Sequence, residues 1–156
     1  MTDGPALVVA QVVARLTSAG QTVAVAESLT GGLLAARIVD VPGASAVFRG
    51  GVVAYATDLK GTLLGVDTDL LERHGAVHAQ VAAQMAGGVR ERLGATWGLS
   101  TTGVAGPDPQ DGKAPGTVFV GIAGPDGVRT LGLTAGGDRA QVRGAAVDAV
   151  LTLLLG

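Results

Sequence analysis

The stretch Thr22-Val23-Ala24-Val25-Ala26-Glu27-Ser28-Leu29-Thr30-Gly31-Gly32 decides how the rest of the chain is read. Its first four residues are apolar or β-branched and predict a strand. Leu33-Leu34-Ala35-Ala36-Arg37-Ile38-Val39 follow at once and predict a helix. Between the two the chain turns sharply, with Gly31 and Gly32 supplying the backbone freedom. Such a turn exposes Ser28 at the carboxyl end of a strand, where open α/β sheets bind ligands. The next backbone N–H groups lie at a helix N-terminus, which favours an anion or a developing oxyanion. A plainer reading fits the same residues: Ser28 or Thr30 caps the helix, and the glycines only make the turn.

Upstream, residues 5–19 repeat Leu7, Val8, Val12, Val13 and Leu16 at helical spacing and stop at Gly20. Downstream, residues 41–45 read as a loop and 47–56 as a second strand, where Gly50 and Gly51 mark a bulge or a close backbone approach. Short helices are expected at 58–65 and 67–74. A long one follows at 78–93, with Val81, Ala82, Met85, Ala86 and Val89 inward. Residues 97–104 predict a third strand. Residues 107–115, rich in Pro, Gly and Asp, read as a mobile surface loop. Residues 117–123 and 128–134 alternate, and Gly124-Pro125-Asp126-Gly127 between them signals a hairpin. Gly136-Gly137-Asp138 opens a last helix that carries Arg139 and Arg143 one turn apart. Strands interleaved with helices and closed by a hairpin predict one α/β domain over residues 1–156. Its expected architecture is a three-layer α/β/α sandwich with a mixed five-stranded sheet.

Composition narrows the function. The net charge of −2 comes without a basic tract, which argues against a nucleic-acid partner. There is no cysteine, so neither a disulfide framework nor a thiolate metal site is available. The two histidines, His74 and His78, are separated by a helix-breaking Gly75, which speaks against a shared metal. Asp108 and Asp111 lie in a Pro/Gly loop of the kind that is normally just solvated, and no metal or cofactor is expected. No apolar run is long enough to span a membrane and no secretory pattern opens the chain. The expected compartment is the cytoplasm.

Several short motifs occur in one order: Ala26-Glu27-Ser28-x-Thr30-Gly31-Gly32, Tyr55 with Lys60 five residues on, Gly75-Ala76-Val77, Thr102-Gly103-x-Ala105-Gly106-Pro107, Gly116-Thr117-Val118 and Gly137-Asp138-Arg139. Together they make the chain resemble the CinA C-terminal domain family, which includes nicotinamide-nucleotide amidases of the PncC type. The resemblance covers almost the whole chain. It implies a three-layer fold around a mixed five-stranded sheet. It also implies hydrolysis of the carboxamide of nicotinamide mononucleotide to nicotinate mononucleotide and ammonia. The motif serine, here Ser28, is the implied nucleophile, assisted by Lys60 and Tyr55. One departure is His78, where similar proteins usually carry Ser; it bears on a helix cap. The small-residue-rich surface and the family together point toward a homo-oligomer.

An amide carbon is a poor electrophile, so Ser28 needs a base. A lysine serves if burial or a neighbouring cation lowers its pKa. Lys60 is the candidate, with Tyr55 relaying a proton or orienting the hydroxyl. Read without the motif, Lys60 is a solvated helix residue and Tyr55 a half-buried aromatic. Glu27 either orients a site amine or satisfies N–H groups of the turn. The substrate phosphate has three candidate holders: the backbone of Thr30, Gly31 and Gly32, the turn at Thr102-Gly103, and Arg139 or Arg143. Arg139 matches the family motif; its alternative is a surface pair with Asp138. Two rival functions stay open: a serine amidase for another small amide, and a catalytically silent nucleotide- or partner-binding module linked to competence or DNA damage.

Overall fold

The computed structural model describes residues 4–156. Its elements run α1 (Gly4–Ala19), β1 (Val23–Glu27), α2 (Leu33–Val39), β2 (Phe48–Val53), α3 (Thr57–Leu64), α4 (Thr68–His74) and α5 (Ala79–Leu93). They continue with β3 (Trp97–Gly103), β4 (Thr117–Gly124), β5 (Gly127–Thr134) and α6 (Arg139–Leu155). The strands form one five-stranded sheet in the order β2-β1-β3-β4-β5. β1 is parallel to both β2 and β3, whereas β4 and β5 are each antiparallel to the strand before. The sheet is therefore mixed, as its alternating helices and terminal hairpin require.

β1 is buried along its whole length, and its alternation sorts the core into two layers. Val23 and Val25 join Leu16 of α1, Leu34 and Ile38 of α2, and Val147 and Leu151 of α6. Ala24 and Ala26 join Leu64 of α3, Leu70 of α4, and Val81, Met85 and Val89 of α5. Helices thus cover both faces in an α/β/α sandwich. The scarcity of aromatics has a structural counterpart in how closely α5 approaches the sheet. A Cβ at Gly121 would stand 2.7 Å from Ala82 O, and one at Gly98 would collide with Ala86 O.

The chain leaves β1 through α2 to reach β2 on one side, then returns through α3, α4 and α5 to β3 on the other. The carboxyl end of β1 is therefore the point where the connections diverge to opposite sides, the usual place for a ligand crevice. Ser28 is the first residue beyond it. On the neighbouring strand both expectations for the glycines hold. The register slips between Val23 and Ala24, leaving Arg49 as the bulged residue, and a Cβ at Gly51 would meet Val25 Cγ2 at 2.6 Å.

Two expectations change. Residues 107–115 are not a free loop. Gln110 and Lys113 pair across Asp111-Gly112, whose φ angles of 52° and 73° are those of a tight I′-type turn. Asp111 Oδ2 accepts from Ala76 N–H at 3.3 Å, and Lys113 Nζ donates to Val77 O at 3.1 Å. These bonds pin the small hairpin to the connector before α5. The alternation of residues 128–134 does not bury one face either. β5 is an edge strand, α5 and α6 pack more on β4, and Val128 and Leu131 stay exposed. His78 does act at a cap: its Nδ1 accepts from Gln80 N–H at the start of α5.

Candidate active site

Ser28 continues β1 by one more bond, donating its N–H to Thr101 O at 3.1 Å on β3. The chain then folds over in a tight turn, with Gly31 N–H on Ser28 O at 3.1 Å and with φ of 56° at Gly31 and 108° at Gly32. Those left-handed values are where glycine is cheapest. The serine hydroxyl faces Lys60, whose Nζ lies 2.9 Å from Ser28 Oγ.

Lys60 is fully buried, which is rare for an unpaired lysine. Its position follows from its spacing to Tyr55. Ala54 N–H bonds Glu27 O at 2.9 Å, extending the β1–β2 pairing, and α3 begins three residues later. The first turn of α3 then folds the lysine back over the segment just passed. Nζ donates to Ala54 O at 2.8 Å and to Tyr55 O at 3.3 Å. Among the described residues the only ion pair is Arg37–Asp148, so no carboxylate neutralises the amine. Burial pushes the Lys60 pKa down from 10.5 to about 8, against an opposing pull from Asp111. A neutral amine has two N–H groups and one lone pair. Two carbonyls and one hydroxyl are the matching set, leaving the lone pair for the Ser28 proton.

Glu27 resolves to the second of its two readings and removes an expected site with it. Its carboxylate is buried and accepts from Leu34 N–H at 2.8 Å and Ala35 N–H at 3.1 Å. Leu33 N–H goes to Thr30 O and Ala36 N–H to Gly32 O. All four leading N–H groups of α2 are therefore taken, and the protein's own anion occupies the helix N-terminus. A substrate phosphate has no place there, and neither Ser28 nor Thr30 caps the helix. Thr30 turns inward, its Oγ1 2.7 Å from Thr101 Oγ1.

A cavity of about 330 Å³ opens above Ser28. Tyr55, Thr102, Gly103 and Arg139 line it, together with Leu29, Ala76, Val77 and residues 104–110. Thr30, Gly31, Gly32 and Arg143 do not. Thr102 is held by donating to Ala76 O at 2.8 Å. Arg139, at the first position of α6 beyond the capping residue Asp138, reaches across the mouth. It donates to Gly106 O at 2.6 Å and to the Tyr55 hydroxyl at 3.1 Å. Asp138 itself accepts from Gln141 N–H, so the surface pair with Arg139 does not form. Tyr55 is 60% exposed and its hydroxyl bonds neither Ser28 nor Lys60; it is the backbone carbonyl of Tyr55 that contacts the lysine.

Arg143 sits behind the Ser28 turn, donating to Leu29 O and Thr30 O, both at 2.9 Å. Sequence reasoning missed the outer wall at Asp108, Pro109 and Gln110, whose Asp-Gly turn signal was present at 111–112. Of the N–H groups after Ser28 that the sequence marks as favouring an oxyanion, two stay open. The N–H groups of Leu29 and Thr30 meet no acceptor among the described residues. Among those residues no three His, Asp or Glu side chains converge into a metal-binding group.

Known proteins are similar to this chain in sequence and in fold. Residues 6–156 match the model of the CinA C-terminal domain. A CinA-like protein of Frankia casuarinae is 58% identical over 139 residues, covering 89% of this chain and 32% of that protein. One from Anaeromyxobacter is 50% identical over 146 residues, covering 93% and 36%. The chain thus spans about a third of the length of these curated relatives. The competence/damage inducible protein CihA of Agrobacterium tumefaciens superposes with a TM-score of 0.93 at 34% identity, covering 97% of this chain and 93% of that one. A CinA superfamily protein of Escherichia coli gives 0.94 at 32% identity, covering 99% and 90%. Motif order, fold and likeness over nearly the full length agree, and the chain belongs to the CinA C-terminal domain family.

Proposed function

We propose that the protein hydrolyses the carboxamide of nicotinamide mononucleotide, with Ser28 as nucleophile and Lys60 as base. The observation that carries this reading is a buried amine, without a carboxylate partner among the described residues, 2.9 Å from a serine hydroxyl on a cavity floor. Lys60 takes the hydroxyl proton as Ser28 Oγ bonds the carboxamide carbon. The carbonyl oxygen becomes an oxyanion beside the N–H groups of Leu29 and Thr30. Lys60 returns the proton to the leaving nitrogen, ammonia departs, and a nicotinoyl ester remains on Ser28. Water, deprotonated by Lys60, attacks that ester; Ser28 Oγ leaves, takes the proton back from Lys60, and nicotinate mononucleotide is released. Arg139, at the rim, is the phosphate holder in this reading, because two of its N–H groups fix its plane while others remain free.

The test is ammonia release by purified protein given nicotinamide mononucleotide, free nicotinamide or an unrelated small amide. Release is expected from the mononucleotide and absent from Ser28→Ala, which removes one hydroxyl and no cap. Equal release by a folded Ser28→Ala protein removes the nucleophile from the proposal. Release from another amide alone moves the substrate and leaves the mechanism. No release from any amide supports a binding module.

A further inference from the structure

We infer that Arg143 is a positioning residue that aims the Thr30 backbone N–H of the Ser28 turn at the reacting carbonyl oxygen, and is not a phosphate ligand. The inference rests on the amidase reading. Arg143 sends Nε to Leu29 O and one Nη to Thr30 O, each at 2.9 Å. These are consecutive carbonyls, and the Nη lies 3.7 Å from where a Cβ of Gly31 would stand. A guanidinium holds its N–H groups in one rigid plane, so two carbonyls bound to it lie side by side on one flank of the turn.

The peptide unit then dictates the rest. In a planar trans peptide the N–H points opposite to the C=O. Leu29 C=O shares its plane with Thr30 N–H, and Thr30 C=O shares its plane with Gly31 N–H. Holding both carbonyls behind the turn sends both N–H groups to the front. Gly31 N–H is spent on Ser28 O at 3.1 Å. Thr30 N–H has no acceptor among the described residues, and Leu29, the residue before it, lines the cavity. A cation on a carbonyl oxygen also polarises the amide, which strengthens the N–H at its other end. Arg143 is absent from the cavity lining and faces the turn, so a phosphate in the cavity lies on the far side of the peptide planes. Two arginines one turn apart on α6 thus divide the labour: Arg139 faces the mouth, and Arg143 holds the turn.

The experiment compares wild type with Arg143→Ala and Arg143→Lys on nicotinamide mononucleotide in the steady state, and on p-nitrophenyl acetate in the pre-steady state. The ester reports acylation of Ser28 without a phosphate. Both variants are expected to lose kcat by about 10- to 100-fold, a fraction of what deleting an oxyanion donor costs. KM and the acid limb of the pH profile should hold. The burst of p-nitrophenolate should keep its amplitude while its rate constant falls, and added guanidinium ion should restore part of the rate in Arg143→Ala. Lysine is not expected to substitute, because one ammonium cannot bridge two carbonyls in a plane. A raised KM at unchanged kcat makes Arg143 a phosphate ligand and overturns the inference. A smaller burst with a normal rate constant reduces it to a fold-holding role, which overturns it too, as does unchanged kinetics. If Arg143→Ala fails to fold, Arg143→Lys carries the same comparison. A wild-type burst that needs Ser28, without turnover of the mononucleotide, refutes the substrate and still lets the burst rates judge Arg143. No Ser28-dependent chemistry in wild type overturns both readings.

Discussion

Lys60 and Arg139 serve the same cavity, yet one is buried to 0% exposure and the other stands in solvent at the mouth. The floor around Lys60 has every polar side chain committed: Glu27 to α2, Thr30 to Thr101, Thr102 to Ala76. The rim has Tyr55 and Arg139 holding each other and Gly106, with the four exposed residues Pro107 to Gln110 beside them. Desolvation is therefore the force that sets proton affinity at the floor, and it acts on the reacting groups before substrate arrives. At the rim charge stays in water, where it attracts an anion without altering the chemistry. Floor and rim should accordingly fail in different kinetic parameters.

The largest expected effect breaks the floor. Lys60→Arg should lose about 10²- to 10⁴-fold in kcat, the usual contribution of a general base, because a guanidinium stays protonated. The wild-type kcat/KM should rise with pH through an acid limb near 8, the value to which burial pushes this amine. A pH–rate profile of both proteins checks this; an arginine variant with near-normal kcat and the same limb would make Lys60 structural. A smaller effect tests the rim. Arg139→Ala should raise KM for the mononucleotide by about 10- to 100-fold with kcat held, as expected for loss of a charge-assisted contact. Against the dephosphorylated nucleoside, variant and wild type should be equal. If the nucleoside is penalised equally, Arg139 shapes the mouth through Tyr55 and Gly106 instead.

The smallest effect is on stability, and it sharpens the same contrast. Folding lowers the Lys60 pKa from 10.5 to about 8, so between those values the unfolded chain holds one more proton than the folded one. Stability from this group therefore rises with pH across that window, by about 1.4 kcal/mol per unit at most. Relative to Lys60→Met, wild type should gain stability from pH 8 to pH 10 in urea titrations. Arg139→Ala should track wild type throughout, since it leaves the buried amine unchanged.

What was legible in the sequence followed from local patterns. The apolar run leading into Ser28, the glycines after it and the Gly124–Gly127 turn each depend on neighbours in the chain, and each stands where expected. The nearness of Lys60 to Ser28 depends on β1 lying beside β2, which spacing alone does not reveal; only the family resemblance supplied it. The expected phosphate site at α2 failed because helix N-termini attract any anion, and Glu27 sits seven and eight residues before the N–H groups it satisfies. Arg143, named beside Arg139 as an alternative phosphate holder, lies outside the cavity lining. Its partners are 114 and 113 residues away, beyond the reach of any pattern in a single sequence. Residues 107–115 looked mobile by composition, but the bonds that pin them run to the 76–77 connector.

The contacts from α6 back to the β1 turn also bear on the order of assembly. Bringing the chain's last helix onto its first strand closes a loop of more than a hundred residues, an entropy cost that rises slowly with length but must be met before the contact rewards it. Until that docking happens, Leu29 and Thr30 have no guanidinium behind them and the mouth has no Arg139. A partly folded chain can hold the sheet and still lack a working pocket. Under the proposed mechanism, a chain whose α6 has not docked carries Ser28 and Lys60 without the turn and the rim that the reaction uses.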